Sequence, residues 1–205
     1  MDLKLTPAEY GPGDVEVLRE DTVWREWGRV VIYEYRHKRH DGNWSGTVKR
    51  EMHAVRNTAS VLPWDPALDA VVLTEQLRMV GLFQRAERPW VIECIAGMID
   101  EGEDPGETAR REAEEETGAR IGKLVPVMSG YTSPGAWGEK SHLFAATANL
   151  SQVGGFHGLA SENEDIRALV VPFDEAFAAV SDGRIEDVKT ALLLHWLAAN
   201  KDKLL

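Results

Sequence analysis

The sequence contains one cysteine, Cys94, among 205 residues. A single cysteine excludes an internal disulfide and is typical of a cytoplasmic protein, which is the location we predict. The chain also lacks an apolar run near the ~18 residues of a membrane span, and its N-terminus shows no signal-peptide pattern. Because Cys94 lies within the apolar stretch 90–96, we predict a buried structural thiol rather than a nucleophile.

Positive charge is scarce, with 23 Lys and Arg against 34 Asp and Glu and a formal net charge of −11. A broad nucleic-acid interface is therefore disfavoured, because nothing balances the repulsion of the phosphates. A small anionic substrate is compatible with this charge if metal ions accompany it. The hydrophobic content of 43% suffices for an ordinary core, and the length suits one domain with an appendage.

Short strands dominate the N-terminal region, which we predict to be an antiparallel β-sheet domain over residues 1–55. Strand character recurs in four segments: 15–18, 23–27, 30–36 and 44–55. Asp41-Gly42 indicates a hairpin between the last two. Because so small a sheet is not stable alone, it must lie against the core domain or against a second subunit.

The remaining residues, 56–205, predict an α/β domain with a mixed β-sheet and helices on its faces. The candidate strands are 59–62, 71–75, 90–96, 124–128, 142–148 and 166–171. We expect a turn at 63–66 and a loop at 80–88. Two C-terminal helices are predicted at 174–181 and 187–203.

An acidic stretch at 97–120, GMIDEGEDPGETARREAEEETGAR, contains the clearest helix signals of the chain. Asp104 is a capping acid, Pro105 suits the first helical position, and Gly118 is a natural left-handed stop. The helix should therefore run from Pro105 to Thr117.

Three glutamates of this helix, Glu112, Glu115 and Glu116, project within one ~100° arc. Like charges one turn apart weaken a helix, so this arrangement calls for a cation. Hard carboxylate oxygens suit magnesium or manganese. On the run of glutamates alone, the alternative is a solvated acidic face of a surface helix.

The spacing around these glutamates resembles the box of the Nudix hydrolases, which hydrolyse a nucleoside diphosphate linked to another group. Ala113 and Ala119 fill the aliphatic positions of that box only weakly. The matching positions are Gly97, Glu103, Arg111-Glu112, Glu115-Glu116 and Gly118.

Clustered divalent ions neutralise phosphate oxygens and lower the pKa of bound water, which is what phosphoanhydride hydrolysis needs. We interpret Glu112 and Glu116 as the primary metal ligands and Glu115 as a third, direct or through water. The backbone carbonyl of Ala96 can complete the shell. Arg111 has two interpretations: a bidentate brace with Glu103, or a direct catalytic group.

The acidic loop 159–166 is a candidate source of the general base, because a mobile carboxylate can enter the site when substrate and metal are bound. The alternative is an ordinary acidic surface loop.

Further segments are similar to the ADP-ribose pyrophosphatase subgroup of the Nudix superfamily. Pro134 in Ser133-Pro134-Gly135 follows Gly118 by sixteen residues, and the loop 158–166 aligns the base on Glu162, with Glu164 as the alternative. The substrate-facing segments of that subgroup resemble 50–51, 75–78 and 89–93.

This resemblance implies a Nudix α/β/α sandwich with a mixed β-sheet, preceded by the small N-terminal sheet. It implies a homodimer that exchanges the N-terminal sheets, and Mg²⁺-dependent hydrolysis of ADP-ribose to AMP and ribose 5-phosphate, with Mn²⁺ as a possible substitute. Neither nucleic acid nor a membrane is an expected partner.

The resemblance also assigns residues. The metal would be held by Ala96, Glu112, Glu115 and Glu116, and the catalytic set would be Glu162, Glu115, Glu116 and Arg111. Substrate would be bound by Arg50 and Arg78 at phosphate or ribose, Trp27 stacked on adenine, and Met98 and Glu139 near the terminal ribose and the metal site.

Two features leave the substrate open. Trp137 stands where small polar residues are more usual in the subgroup, and the segment 183–197 resembles relatives that act on GDP-mannose. The alternatives are therefore a nucleotide-sugar pyrophosphatase of the GDP-mannose kind and a non-catalytic Nudix module that senses ADP-ribose.

Overall fold

A computed structural model describes residues 5, 7–159, 161 and 163–205. The chain divides into two compact units, one formed by residues 1–55 with 131–139 and the other by residues 56–130 with 140–205. The first unit contains a 3-10 turn and three strands: Pro12–Asp14, β1 (Val15–Arg25), β2 (Arg29–His37) and β3 (Val48–Ala54). The strands of the second unit are β4 (Thr58–Asp65), β5 (Ala70–Leu77), β6 (Trp90–Glu93), β7 (Ile95–Met98), β8 (Ile121–Tyr131), β9 (Lys140–Ala148), β10 (Gly155–His157) and β11 (Ile166–Pro172). Its helices are α1 (Met79–Gln84), α2 (Pro105–Thr117), α3 (Phe173–Ser181) and α4 (Val188–Asn200), followed by a 3-10 turn at Lys201–Lys203.

The strands of the first unit form an antiparallel sheet in the order β1-β2-β3. The segments expected to be separate strands at 15–18 and 23–27 are one continuous strand, with register shifts at Val17/Arg19 and Thr22/Trp24. Such irregularities let one long strand keep pairing while its side-chain alternation slips. Gly42 has φ +84° in the β2–β3 connection, as the hairpin signal predicted.

The second unit is built on a mixed sheet, which in the described part of the chain has eight strands. The main order is β10-β11-β5-β4-β9-β8, with β6 beside β5 and β7 beside β4. Strands β4 and β9 run parallel, whereas β5 is antiparallel to β4, β6 and β11. The predicted fold class is confirmed.

Helices cover both faces of this sheet. Successive residues of a strand point to opposite faces, so neighbouring residues of one strand pack against different helices. Leu73 of β5 packs in the core cluster formed with α3 and α4, whereas its neighbour Val72 packs with Ala109 and Ala113 of α2. Helix α2 therefore packs on the face of the sheet opposite α3 and α4, and this placement determines where its glutamates can act.

Pro63 shows that the turn expected at 63–66 is wrong, since β4 continues through it to Asp65. Strand β7 pairs with β4 over Thr58–Val61 and β5 pairs with it only from Trp64, so Pro63 falls between the two ladders. A proline without an N–H is tolerated at such an interruption.

Two other expectations need correction. Residues 80–88 are not all loop, because Met79–Gln84 forms the short helix α1, which ends at Arg85 with φ +55°. The strand expected at 90–96 is divided at Cys94, whose N–H donates to Thr190 Oγ1 at 2.6 Å. In the part of the chain that the structure describes, no helix has both the length and the apolar character to cross a membrane.

Candidate active site

Helix α2 carries the acidic side chains and has the bounds that its sequence predicted. The Asp104 carboxylate accepts the N–H of Gly106 at 2.8 Å, and the helix ends at Gly118 with φ +72°. Ala109 and Ala113 are completely buried. These small residues let the helix lie close to the sheet, so the glutamates beside them are drawn into a partly closed environment.

The three glutamates of the predicted arc differ in exposure. Glu116 is 4% exposed as a residue, and the side chains of Glu112 and Glu115 are 14% and 33% exposed. A freely solvated acidic face does not describe this set, because carboxylates are seldom buried without a compensating partner.

Gly97 is required by the position of the Glu112 side chain. A Cβ atom at Gly97 would lie 1.8 Å from Glu112 Oε1 and 2.0 Å from its carboxyl carbon. Glu112 therefore occupies the space that the side chain of any larger residue at position 97 would fill. This steric conflict explains why position 97 is a glycine.

The Arg111 guanidinium connects three carboxylates. Its Nε and Nη2 donate to the two oxygens of Glu103, each at 3.2 Å, and its Nη1 donates to Glu112 Oε1 at 2.7 Å and Glu115 Oε2 at 3.1 Å. Nη2 also makes a long 3.5 Å contact with the carbonyl of Met98. The geometry is that of the predicted brace with Glu103, extended to two further glutamates.

The pKa values of these carboxylates move in opposite directions. Hydrogen bonds from Arg111, then from Thr108 and the Asp100 N–H, lower the pKa of Glu103 to about 2. Burial, followed by repulsion from Glu112, raises the pKa of Glu116 to about 8. Burial also raises the pKa of Glu112 above its ordinary value despite the adjacent Arg111.

These residues fit a hard divalent cation. Among the described residues, no three acidic, histidine or cysteine side chains stand as a ready-made metal cage, and the Arg111 guanidinium lies among Glu103, Glu112 and Glu115 instead. Glu116 is buried, and among the described residues its carboxylate receives a single, long 3.4 Å contact, from the Ala96 N–H. The buried Glu116 carboxylate has few hydrogen-bond donors around it and lies one helical turn from Glu112. Two such carboxylates provide the oxygen ligands that Mg²⁺ and Mn²⁺ favour.

Arg78, a predicted substrate ligand, is paired with a buried acid. Its Nε donates to Glu93 Oε1 at 2.6 Å; the Glu93 side chain is 8% exposed and that of Arg78 is 40% exposed. Burial lowers the pKa of Arg78, but the charges of Glu93, Glu116 and Glu164 outweigh it, so the net pKa is raised. Arg78 is thus held by a buried acid while 40% of its side-chain surface remains exposed.

Glu164, which follows β10 and precedes β11, lies in the same region. Glu162, the predicted base, lies outside the described residues. Glu164, the alternative, accepts the N–H of Leu159 at 3.2 Å, and its charge acts on both Glu112 and Arg78. Glu164 therefore adds negative charge close to Glu112 and Arg78.

Three predicted substrate ligands belong to the first unit and are described there. Trp27 is 67% exposed beyond the end of β1, and Arg50 of β3 donates from Nη1 to the Lys49 carbonyl at 2.8 Å. Glu139 accepts the indole N–H of Trp137 at 2.8 Å. The Trp137 ring stands edge-on to His53 with ring centroids 4.6 Å apart.

Glu93 is the main site residue that the sequence reasoning did not assign. Its only signal was its place in the segment 89–93, within an apolar run that suggested a strand buried on both faces. The β5–β6 ladder sets Glu93 opposite Thr74. Glu93 is the buried acid that forms the ion pair with Arg78.

The comparisons with known proteins agree with this geometry. The NUDIX domain model matches residues 56–192. The ADP-ribose pyrophosphatase of Escherichia coli strain K12 is 39% identical over 191 residues, which cover 93% of this chain and 91% of that protein. The GDP-mannose pyrophosphatase of Pectobacterium atrosepticum is 34% identical over 182 residues, covering 88% of this chain and 92% of that protein.

A crystal structure of an ADP compounds hydrolase superimposes with a TM-score of 0.67 at 20% identity, covering 91% of this chain and 95% of the other. That likeness concerns the fold alone. The NUDIX match over residues 56–192, the 39% identity to an ADP-ribose pyrophosphatase and the intact acidic box on α2 lead to one conclusion: this chain belongs to the Nudix family.

Proposed function

We propose that the chain hydrolyses the pyrophosphate bond of ADP-ribose, giving AMP and ribose 5-phosphate, with Mg²⁺ as its metal and Mn²⁺ as a substitute. One observation carries this proposal: a chain 39% identical over 93% of its length to an ADP-ribose pyrophosphatase keeps every acidic residue of the box. Water adds to one phosphorus of the diphosphate as the bridging P–O bond breaks.

In this proposal the metal is held by Glu112, Glu115, Glu116 and the Ala96 carbonyl. A bound divalent ion supplies charge neutralisation at the phosphate oxygens and lowers the pKa of a bound water. Arg111 holds the side chains of Glu112 and Glu115 in position through its ion pairs with both, and its positive charge partly offsets their negative charge.

Glu162 is the proposed base that accepts the proton of the attacking water. The paired variants Glu162→Gln and Glu164→Gln test it. Glu162→Gln should slow turnover strongly while metal binding, measured by calorimetry, is retained. If Glu164→Gln has that effect instead, the role moves by two residues.

Substrate binding is proposed for Arg78 of the second unit and for Arg50 at the phosphates or ribose, with Trp27 stacking on adenine. Met98 and Glu139 are proposed near the terminal ribose and metal site. The 40% exposure of the Arg78 side chain and the 67% exposure of Trp27 support these roles, because an anion needs an accessible donor and a base needs an accessible ring face.

A homodimer with exchanged N-terminal sheets is proposed from the exposure of β1. All but one position of this strand is exposed, including Val15, Val17, Val23 and Trp24 at 46–56%. An antiparallel sheet ordinarily covers one face, so a second copy is the fitting partner. Light scattering at micromolar concentration tests this, and a monomer counts against it.

The enzymatic proposal is tested by product analysis over a panel of nucleoside diphosphates with Mg²⁺. ADP-ribose should give the highest kcat/KM. Faster turnover of GDP-mannose would favour the second candidate, which the 34% identity to a GDP-mannose pyrophosphatase supports. Tight binding of ADP-ribose without turnover would favour a sensing module.

A further inference from the structure

Gln76 carries a buried donor that the fold does not use. The residue is 7% exposed, and its Nε2 has no hydrogen-bond partner among the described residues. Such a donor loses its bonds to water on folding without replacing them, which destabilises the folded state. A glutamine at this position therefore needs another reason.

The position of Gln76 on β5 provides one. Val72 of the same strand packs with the α2 core, so the alternation of side chains sends Thr74, Gln76 and Arg78 to the α2 face. Residues two apart on a strand lie ~7 Å from each other. Gln76 thus stands on the wall that also bears Arg78, and the charges of Glu116 and Glu164 act on that arginine.

The polar neighbours of Gln76 on this face are already engaged. The Thr74 hydroxyl donates to the Glu93 carbonyl at 3.3 Å, and the Arg78 Nε donates to Glu93 Oε1 at 2.6 Å. Across the ladder, Gln76 is opposite Val91, which offers no side-chain acceptor. Among the described residues, therefore, no acceptor completes this amide, and a bound ligand can supply one.

We infer that Gln76 contacts the substrate, its side-chain amide donating a hydrogen bond to an oxygen of the bound nucleoside diphosphate. The inference rests on the proposed function and adds to it a neutral donor beside Arg78. A neutral amide suits this wall, because it engages a phosphate or ribose oxygen without drawing the adjacent glutamates into a competing ion pair.

The test replaces Gln76 with methionine, which keeps the length of the side chain and removes both polar atoms. Initial rates with ADP-ribose and Mg²⁺ should show kcat/KM lowered roughly 10- to 100-fold, the range expected for one lost hydrogen bond to a charged group. The melting temperature of the ligand-free variant should equal or exceed that of the wild type, since no bond of the free protein is lost. Gln152→Met, at an exposed turn position, is the matched control and should change neither quantity.

The opposite signs of the two effects separate a substrate contact from a structural role. A kcat/KM within twofold of the wild type overturns the inference, and so does a melting temperature lowered by several degrees, because the amide would then have a partner in the free protein. Gln76→Glu, which keeps the shape but only accepts, should lose at least as much activity as the methionine variant. If the wild type does not hydrolyse ADP-ribose at all, the proposed function itself fails, which is a distinct result.

Discussion

Gly97→Ala is the most direct test of how α2 and β7 share the site. The added Cβ would lie 1.8 Å from Glu112 Oε1, 2.0 Å from the carboxyl carbon and 2.5 Å from Cγ. Restoring even a 3.0 Å contact requires the Glu112 carboxylate to retreat by about 1.2 Å. The side chain is flexible and its end is partly exposed, so the carboxylate should move and the backbone should stay.

The two readouts of this variant should therefore diverge. A misplacement of about 1 Å at a catalytic group lowers rates about 100-fold, so kcat with ADP-ribose should fall by at least that factor. The displaced carboxylate also gives up its 2.7 Å bond to Arg111. A partly exposed ion pair of this kind contributes up to ~1 kcal/mol, so the melting temperature should fall by no more than about 4 °C.

Circular dichroism melts and initial-rate assays measure both effects, with Gly46→Ala as the control because nothing lies within 4 Å of its Cβ position. A second variant isolates the steric cause: Gly97→Ala combined with Glu112→Asp shortens the acid by one methylene and should recover part of the lost activity. Full activity in the single variant would refute the steric reasoning. Loss of the folded state would equally refute it, because the clash would then involve the backbone.

Glu116→Gln should lower ADP-ribose turnover roughly 1000-fold while the circular dichroism spectrum is unchanged, since it removes a proposed primary metal ligand; near-normal turnover would contradict that role. The pKa of Asp65 is lowered, chiefly by the hydrogen bond from the Leu150 N–H. The ionised carboxylate therefore stabilises the folded state at pH values above the ordinary pKa of an aspartate, and this stabilisation is lost as the pH falls through the pKa of the folded state. Asp65→Asn should therefore lower the free energy of unfolding by about 1–3 kcal/mol at neutral pH in urea titrations, with the deficit shrinking in strong acid, and a pH-independent deficit would contradict the argument. Cys94 is 1% exposed, and its burial raises the pKa of the thiol to about 12. It should therefore react with a thiol reagent only after denaturation, and rapid labelling of the native protein would contradict this expectation.

The parts of the site that sequence predicts are those fixed by short-range chemistry. Asp104, Pro105 and Gly118 set the bounds of α2 through capping, and these rules act within one turn. The arc of carboxylates follows from helical periodicity alone. The buried thiol of Cys94 is also confirmed, since the residue is 1% exposed and packs in the core cluster formed with α3 and α4.

The parts that sequence does not predict depend on long-range pairing. Glu93 gained its role only because β6 pairs with β5 and brings it to Arg78, fifteen positions away. Pro63 suggested a turn, and only the staggered ends of two ladders explain why it stays in a strand.

The balance of charges in the candidate active site explains how so acidic a chain can act on an anion. Arg78 and Arg111 face a larger number of carboxylates: Glu93, Glu103, Glu112, Glu115 and Glu116. Burial, followed by repulsion from Glu112 and Glu93, raises the pKa of Glu116 to about 8. A site with that excess repels a diphosphate on its own and attracts a divalent cation first. Substrate affinity should therefore depend on prior metal binding, and the net charge of −11 then opposes only substrate that arrives without its metal.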